Sequence, residues 1–275
     1  MVVLLASCTP QVEHDLSPTM GCQPETVVNA GCQLSETGNN AELFGRDYEG
    51  LVETELVSMD GVSGFLAKPI ATGKYPGVVM IHEWWGLNEN IKEMAQLLAA
   101  EGYVVFAVDL YDGNVASTSE DAGKYAGAVR NNQAAATEKL RAAVHYLRSL
   151  PEVSGQKVGS IGWCFGGGQS LQLALSGEPM DATVIYYGTV TDDKEQLSQI
   201  GWPVLGIFAG EDTSIPPASV NAFKAALDDL GIENDITIYP GVGHAFANPS
   251  GQRYAPEETK DAWSKTVEFF DSTLK

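Results

Sequence analysis

Basic residues are scarce in this chain of 275. Sixteen lysines and arginines stand against 36 aspartates and glutamates, a net charge of -20. A phosphate backbone needs a basic footprint, so nucleic acid is not an expected partner, and a polyanionic substrate is disfavoured. The surplus carboxylates are expected to coat the surface and repel neighbours. Cysteines number four, and Cys8, Cys22 and Cys32 all fall in the first 32 residues, leaving Cys164 alone. No pair has C-x-x-C spacing, which excludes a thioredoxin motif and a zinc knuckle. Histidines also number four: His14, His82, His145 and His244. None has a local partner at a common ligand spacing, so no metal site is expected. The apolar run of residues 2–6 is too short to span a bilayer.

What is present fits one large α/β domain. Hydrophobic residues make up 44% of the chain, enough for a sizeable core. Leu5-Ala6-Ser7-Cys8 resembles the lipobox that ends a bacterial lipoprotein signal, although the basic start of a full signal peptide is missing. That resemblance implies export, with a periplasmic or membrane-anchored protein tethered through a lipidated Cys8; a cytoplasmic protein is the alternative. Residues 1–50 read as this signal remnant followed by an acidic flexible arm, with Pro10, Pro18 and Pro24. Cys22 and Cys32, ten residues apart, would close a small loop in an oxidising compartment or stand as two free thiols.

From residue 51 to residue 275, short apolar runs alternate with helical patterns. Residues 51–58 and 62–68 read as strands around an Asp60-Gly61 turn. The almost unbroken apolar run of residues 77–81 suits a central parallel strand. Asn88 caps a helix bearing Ile91, Met94, Ala95 and Leu98 on one side. Residues 103–108, 157–162, 182–187, 203–209 and 235–239 are further strands. Helices are expected over 131–150, 168–175 and 259–270, and around Val220, Phe223 and Leu227; residues 112–129 show weak helical character. This alternation predicts an α/β-hydrolase fold: a mostly parallel, doubly wound sheet flanked by helices. Ligands in such sheets bind beyond the carboxyl ends of the strands. His82, Glu83, Asp109, Cys164, Asp212 and His244 all follow strands at that edge.

Gly162-Trp163-Cys164-Phe165-Gly166-Gly167 carries the chemistry. A reactive side chain between glycines on a strand-to-helix turn is a nucleophile elbow, here with cysteine in place of serine. Buried packing is the ordinary fate of a free cysteine, but Asp212 and His244 follow in the order acid, histidine. A histidine takes a proton from the thiol, and an aspartate on its far nitrogen fixes the tautomer. The elbow also sets Cys164 near a helix N-terminus, whose dipole favours a thiolate. The backbone N–H groups of Phe165 and Trp84 are the expected oxyanion donors. His82 is read as holding its loop rather than reacting. The alternative for Asp212 is a helix cap before Ile215.

Five pieces together, His82-Glu83-Trp84-Trp85-Gly86, Asp109-Leu110-Tyr111, the glycine-rich elbow, Gly210-Glu211-Asp212 and Gly243-His244-Ala245-Phe246, resemble the dienelactone hydrolase family from residue 51 onward. The resemblance implies hydrolysis of lactones or esters through an acyl-cysteine, without a cofactor. It also implies that Glu83 holds the resting thiol until substrate displaces it; otherwise Glu83 only braces its loop. The chain departs from the family's pattern where arginines grip a substrate carboxylate. Ala247-Asn248-Pro249 and Asp112-Gly113-Asn114 carry none; Arg130 and Arg253 could reach in, but neither sits in the expected place. Trp85, Tyr111 and Phe246 suggest an aromatic pocket for a small neutral ester or lactone. The alternatives are a carboxymethylenebutenolidase (dienelactone hydrolase) proper, a thioesterase, or a surface-tethered binding protein on a degenerate hydrolase scaffold. A binding module would have no need of all three of Cys164, Asp212 and His244.

Overall fold

The computed structural model describes residue 44, residues 48–59 and residues 61–275. The readings for Cys8, Cys22, Cys32, Asp60 and most of the N-terminal arm fall outside them. Every described residue belongs to the compact unit Leu34–Lys275. Eight strands form one sheet: β1 (Val52–Met59), β2 (Val62–Pro69), β3 (Tyr75–Ile81), β4 (Val104–Val108), β5 (Val153–Trp163), β6 (Ala182–Tyr186), β7 (Val204–Ala209) and β8 (Asn234–Tyr239). Their order is β1-β2-β4-β3-β5-β6-β7-β8. β1 and β2 pair antiparallel, as do β2 and β4; every other pair is parallel.

Side-chain alternation sorts the central strands onto two faces. Val78 and Met80 pack with Val105, Ala107 and Val184 on one side, beneath α1 (Glu89–Ala100) and α7 (Pro256–Leu274). Val79 and Ile81 pack on the other with Val104, Phe106 and Val108. That face is covered by α3 (Gln133–Ser149), through Leu140, Val144 and Leu147. Both faces are dry, so β3 and β4 read as continuous apolar runs. Truncating Leu140 or Leu147 to alanine would cost about 2–5 kcal/mol. Among the described residues no helix is long and apolar enough to cross a membrane.

Several boundaries differ from the sequence reading. β5 starts at Val153, earlier than residue 157, and its pairing with β3 shifts register between Tyr75 and Gly77. The segment read as weakly helical contains a full helix, α2 (Ser119–Asn131). Thr118 caps it by accepting from the Asp121 N–H at 3.1 Å, and Ala122 and Ala126 are its buried stripe. Two alanines give little periodic signal, which is why the pattern looked weak. The backbone breaks at Asn132 (φ -133°, ψ 53°), so residue 131 ends α2 and the helix expected from residue 131 starts at Gln133. Helix α4 (Phe165–Leu175) begins directly after Cys164 and α7 begins at Pro256, each three residues earlier than expected. The short α5 (Lys194–Leu197) precedes α6 (Pro217–Asp229).

Candidate active site

The elbow is built by backbone crowding. A Cβ at Gly162 would lie 2.1 Å from the Gly166 carbonyl oxygen, and one at Gly166 would lie 2.3 Å from that of Ile81. Only glycine lets β5, β3 and α4 approach so closely. Between them Cys164 takes φ 54° and ψ -114°. A non-glycine residue there carries strain of about 1–3 kcal/mol, held only where its surroundings over-determine it. The Cys164 N–H donates to the Tyr186 carbonyl at 2.9 Å, and the Gly168 N–H donates to the Cys164 carbonyl at 3.2 Å. The sulfur is a free, half-buried thiol.

Loops after β7 and β8 bring two partners to it. Cys164 Sγ lies 3.0 Å from His244 Nε2. On the far side of the ring, Nδ1 lies 2.6 Å from Asp212 Oδ2. An ionised carboxylate only accepts, so Nδ1 carries the proton and Nε2 presents its lone pair to the thiol. Asp212 has a second set of bonds: its Oδ1 accepts from the N–H groups of Ser214 at 2.8 Å and Ile215 at 3.0 Å. The two roles considered for this residue coexist, since its turn bonds are what aim its other oxygen at His244.

Glu83 approaches from the loop after β3 and is 3% exposed, as is Asp212. Its Oε2 accepts a short hydrogen bond from Asn248 Nδ2. Burial pushes the Glu83 carboxyl up to about 7, and the Asn248 bond opposes that shift. Burial, then the Glu83 charge, pushes the Cys164 thiol up to about 12; the Phe165 N–H and Arg130 act the other way. The thiol is therefore neutral at pH 7, poised to donate to His244.

His82 is structural in the way its sequence context suggested. Its Nδ1–H donates to the Glu83 carbonyl at 2.6 Å, and its Nε2 accepts from the Leu110 N–H at 3.2 Å. Full burial pulls it down to about 4, so it stays neutral. Asp109 shapes the next loop by accepting from the N–H groups of Tyr111, at 2.9 Å, and Gly113.

The expected aromatic pocket needs correction. Phe246 is fully buried between Tyr187 and Tyr239, at centroid distances of 5.6 and 5.3 Å, and belongs to the core. Tyr111 is also buried, and its hydroxyl donates to the Trp84 carbonyl at 3.2 Å, bracing that loop. Trp84 and Trp85 remain half-buried and pack edge to face at 5.0 Å. Phe165 opens α4, so its N–H stands at the helix N-terminus beside the sulfur.

Three residues near the sulfur were not assigned roles from the sequence. Arg130, at the end of α2, stacks its guanidinium 5.8 Å from the Phe165 ring centroid, and its charge reaches Cys164 and Tyr111. The sequence names it only as an arginine that could reach in from outside the family's expected place, and α2 is the helix that brings it there. Tyr187 is fully buried at φ 34°, and its ring packs edge to face with that of His244 at a centroid distance of 5.3 Å. Asn248 was noticed only as the absence of an arginine; an asparagine two residues before a serine is an Asx-turn signal.

A family model described as the dienelactone hydrolase family matches residues 62–274. This chain belongs to the dienelactone hydrolase family. It is 35% identical over 219 residues to Protein usf of Aquifex pyrophilus, spanning 78% of this chain and 94% of that one. It is 32% identical over 243 residues to a Synechocystis sp. protein named "Putative carboxymethylenebutenolidase", spanning 82% and 98%. The solved structure titled m3DLH superposes with a TM-score of 0.76 at 28% identity, covering 82% of this chain and all of that one. The fold is that of the α/β-hydrolases of this family, and the protein is a hydrolase of the same family.

Proposed function

We propose that this dienelactone hydrolase family member cleaves small carboxylic esters or lactones through an acyl-cysteine on Cys164. The observation that carries the reading is the line Cys164–His244–Asp212, at 3.0 and 2.6 Å, on a left-handed elbow. As the sulfur attacks the carbonyl carbon, the thiol proton passes to His244 Nε2. The resulting imidazolium is steadied by Asp212. The carbonyl oxygen, now negative, is received by the N–H groups of Phe165 and Trp84, each such donor being worth about 10²–10³ in rate. Collapse breaks the bond to the alcohol oxygen, which takes the proton from His244. Water, deprotonated by the same nitrogen, then releases the acid and returns the thiol.

Glu83 acts on the resting enzyme in this reading. A carboxylate near the sulfur keeps the thiol protonated, which slows oxidation. Trp85 with Trp84 offers an apolar edge for the substrate. A second reading, hydrolysis of a dienelactone or another ester bearing a carboxylate, is favoured by Arg130, whose charge reaches the sulfur. The name of the Synechocystis relative points the same way.

A panel of a dienelactone, neutral aryl esters and one thioester, run on the native protein and Cys164→Ala, tests both. Turnover of at least one ester or lactone, abolished by the substitution, is expected. Hydrolysis that persists without the thiol overturns the proposal. Selective loss of the dienelactone in Arg130→Ala would select the second reading.

A further inference from the structure

Asn248 is a buried side chain whose amide can be oriented without ambiguity. Its Oδ1 accepts twice from Ser250, from the N–H at 2.9 Å and from the hydroxyl at 2.7 Å. Two donors on one atom identify that atom as the oxygen, so the amide nitrogen is the end that meets Glu83. The loop holding it is closed by its own backbone: the Asn248 N–H donates to the Ala245 carbonyl at 3.2 Å, and the Gly251 N–H donates to the Asn248 carbonyl at 2.9 Å. The donor to Glu83 is thus fixed at both its side chain and its main chain. It also stands on the segment that carries His244.

We propose that Asn248 is a positioning residue that anchors the Glu83 carboxylate, and that Ser250 fixes the amide that does so, the pair setting the charge state of Glu83 under which Cys164 reacts. This rests on Cys164 being the nucleophile of the proposed function. The groups that act on Glu83 come from several elements. Cys164 stands at the start of α4, Tyr187 follows β6, and the His82 ring bonds the Glu83 carbonyl from the same loop. Arg130 from α2 and Asp212 from beyond β7 act on the sulfur rather than on Glu83 directly. Among these only the Asn248 amide hydrogen-bonds the carboxylate, and a hydrogen bond from a donor favours the ionised form. Its loss leaves a buried acid with burial alone to answer, and the acid keeps its proton to higher pH.

The test is the pH dependence of Cys164 alkylation by iodoacetamide, which requires no ester turnover. Failure of the inference is therefore separable from failure of the proposed activity. In the native protein the rate profile should carry an inflection near pH 7 that Glu83→Gln removes. Asn248→Ala should move that inflection upward by roughly one unit. Ser250→Ala, which frees the amide without deleting it, should move it less in the same direction. In a Glu83→Gln background, Asn248→Ala should change nothing further. A folded Asn248→Ala protein with the native profile would overturn the proposal, as would an equal shift in the Glu83→Gln background. Should Asn248→Ala fail to fold, an unshifted Ser250→Ala profile overturns it alone.

Discussion

Two carboxyl groups, equally buried, act on one thiol, and their surroundings differ. Asp212 is 3% exposed and accepts from two backbone N–H groups and from His244. Glu83 is also 3% exposed but, among the described residues, accepts from a single neutral amide. The number and kind of donors around a buried carboxyl decide how far the cost of burying its charge is answered. Glu83, with one donor, rises to about 7. Asp212 faces a ring that becomes cationic during the proposed reaction, so its charge has work to do at that moment. The same chemical class thus serves two ends, one orienting a base and one restraining a nucleophile, because the loops around them supply different hydrogen bonds.

The largest effects should come from removing what both carboxyls act upon. Cys164→Ala and His244→Ala are each expected to lower kcat/KM for any ester substrate by about 10³-fold or more. Asp212→Asn should follow at about 10²–10⁴-fold, since an amide no longer enforces the Nδ1–H tautomer. Glu83→Gln should leave ester turnover within about tenfold while raising the rate of thiol alkylation at pH 8. Comparable losses in Asp212→Asn and Glu83→Gln, measured on one substrate, would erase the distinction between the two acids.

Stability sharpens the same contrast. The folded value of Glu83, about 7, lies above its ordinary 4.5. The folded state therefore holds a proton that the unfolded chain releases within that window, and stability falls as pH rises through it. Ionising this acid in place opposes folding by on the order of 3 kcal/mol above pH 7. His82, drawn down from 6.5 to about 4, works in the opposite sense and favours folding as pH rises from 4 to 6.5. Glu83→Gln isolates the first contribution. Its melting temperature should exceed the native one at pH 8 and converge with it below pH 5. A constant difference across that range would mean Glu83 does not titrate near neutrality in the folded protein.

The backbone of the elbow separates packing from chemistry. Gly162→Ala places a methyl 2.1 Å from the Gly166 carbonyl oxygen. It should destabilise the protein by more than about 3 kcal/mol, measured by denaturant unfolding, with loss of activity following the loss of fold. The smallest effect expected is that of Arg130→Ala: unchanged turnover of neutral esters and a rise in KM confined to substrates bearing a carboxylate.

Much of this was legible in the chain because central parallel strands advertise themselves. Residues 77–81 and 103–108 are apolar on both faces, and each run is followed by a polar residue at the sheet edge, His82 and Asp109. Cys164, Asp212 and His244 could be picked out because glycines and short turns surround them. The α2 helix was under-read because only Ala122 and Ala126 enter the core, and with it went the position of Arg130. Phe246 was misplaced because one aromatic after a histidine looks the same whether it turns toward a ligand or toward Tyr187 and Tyr239. Asn248 and Tyr187 belong to pairings across 165 residues and across β6 and β8, which no local pattern carries.

The most direct measurement is the intact mass of the protein mixed with a slowly deacylating ester, followed by peptide mapping. An acyl group on the peptide containing Cys164, appearing and decaying at the rate of turnover, is the predicted result. Steady hydrolysis with no adduct on that peptide, or with an adduct on another side chain, would contradict it.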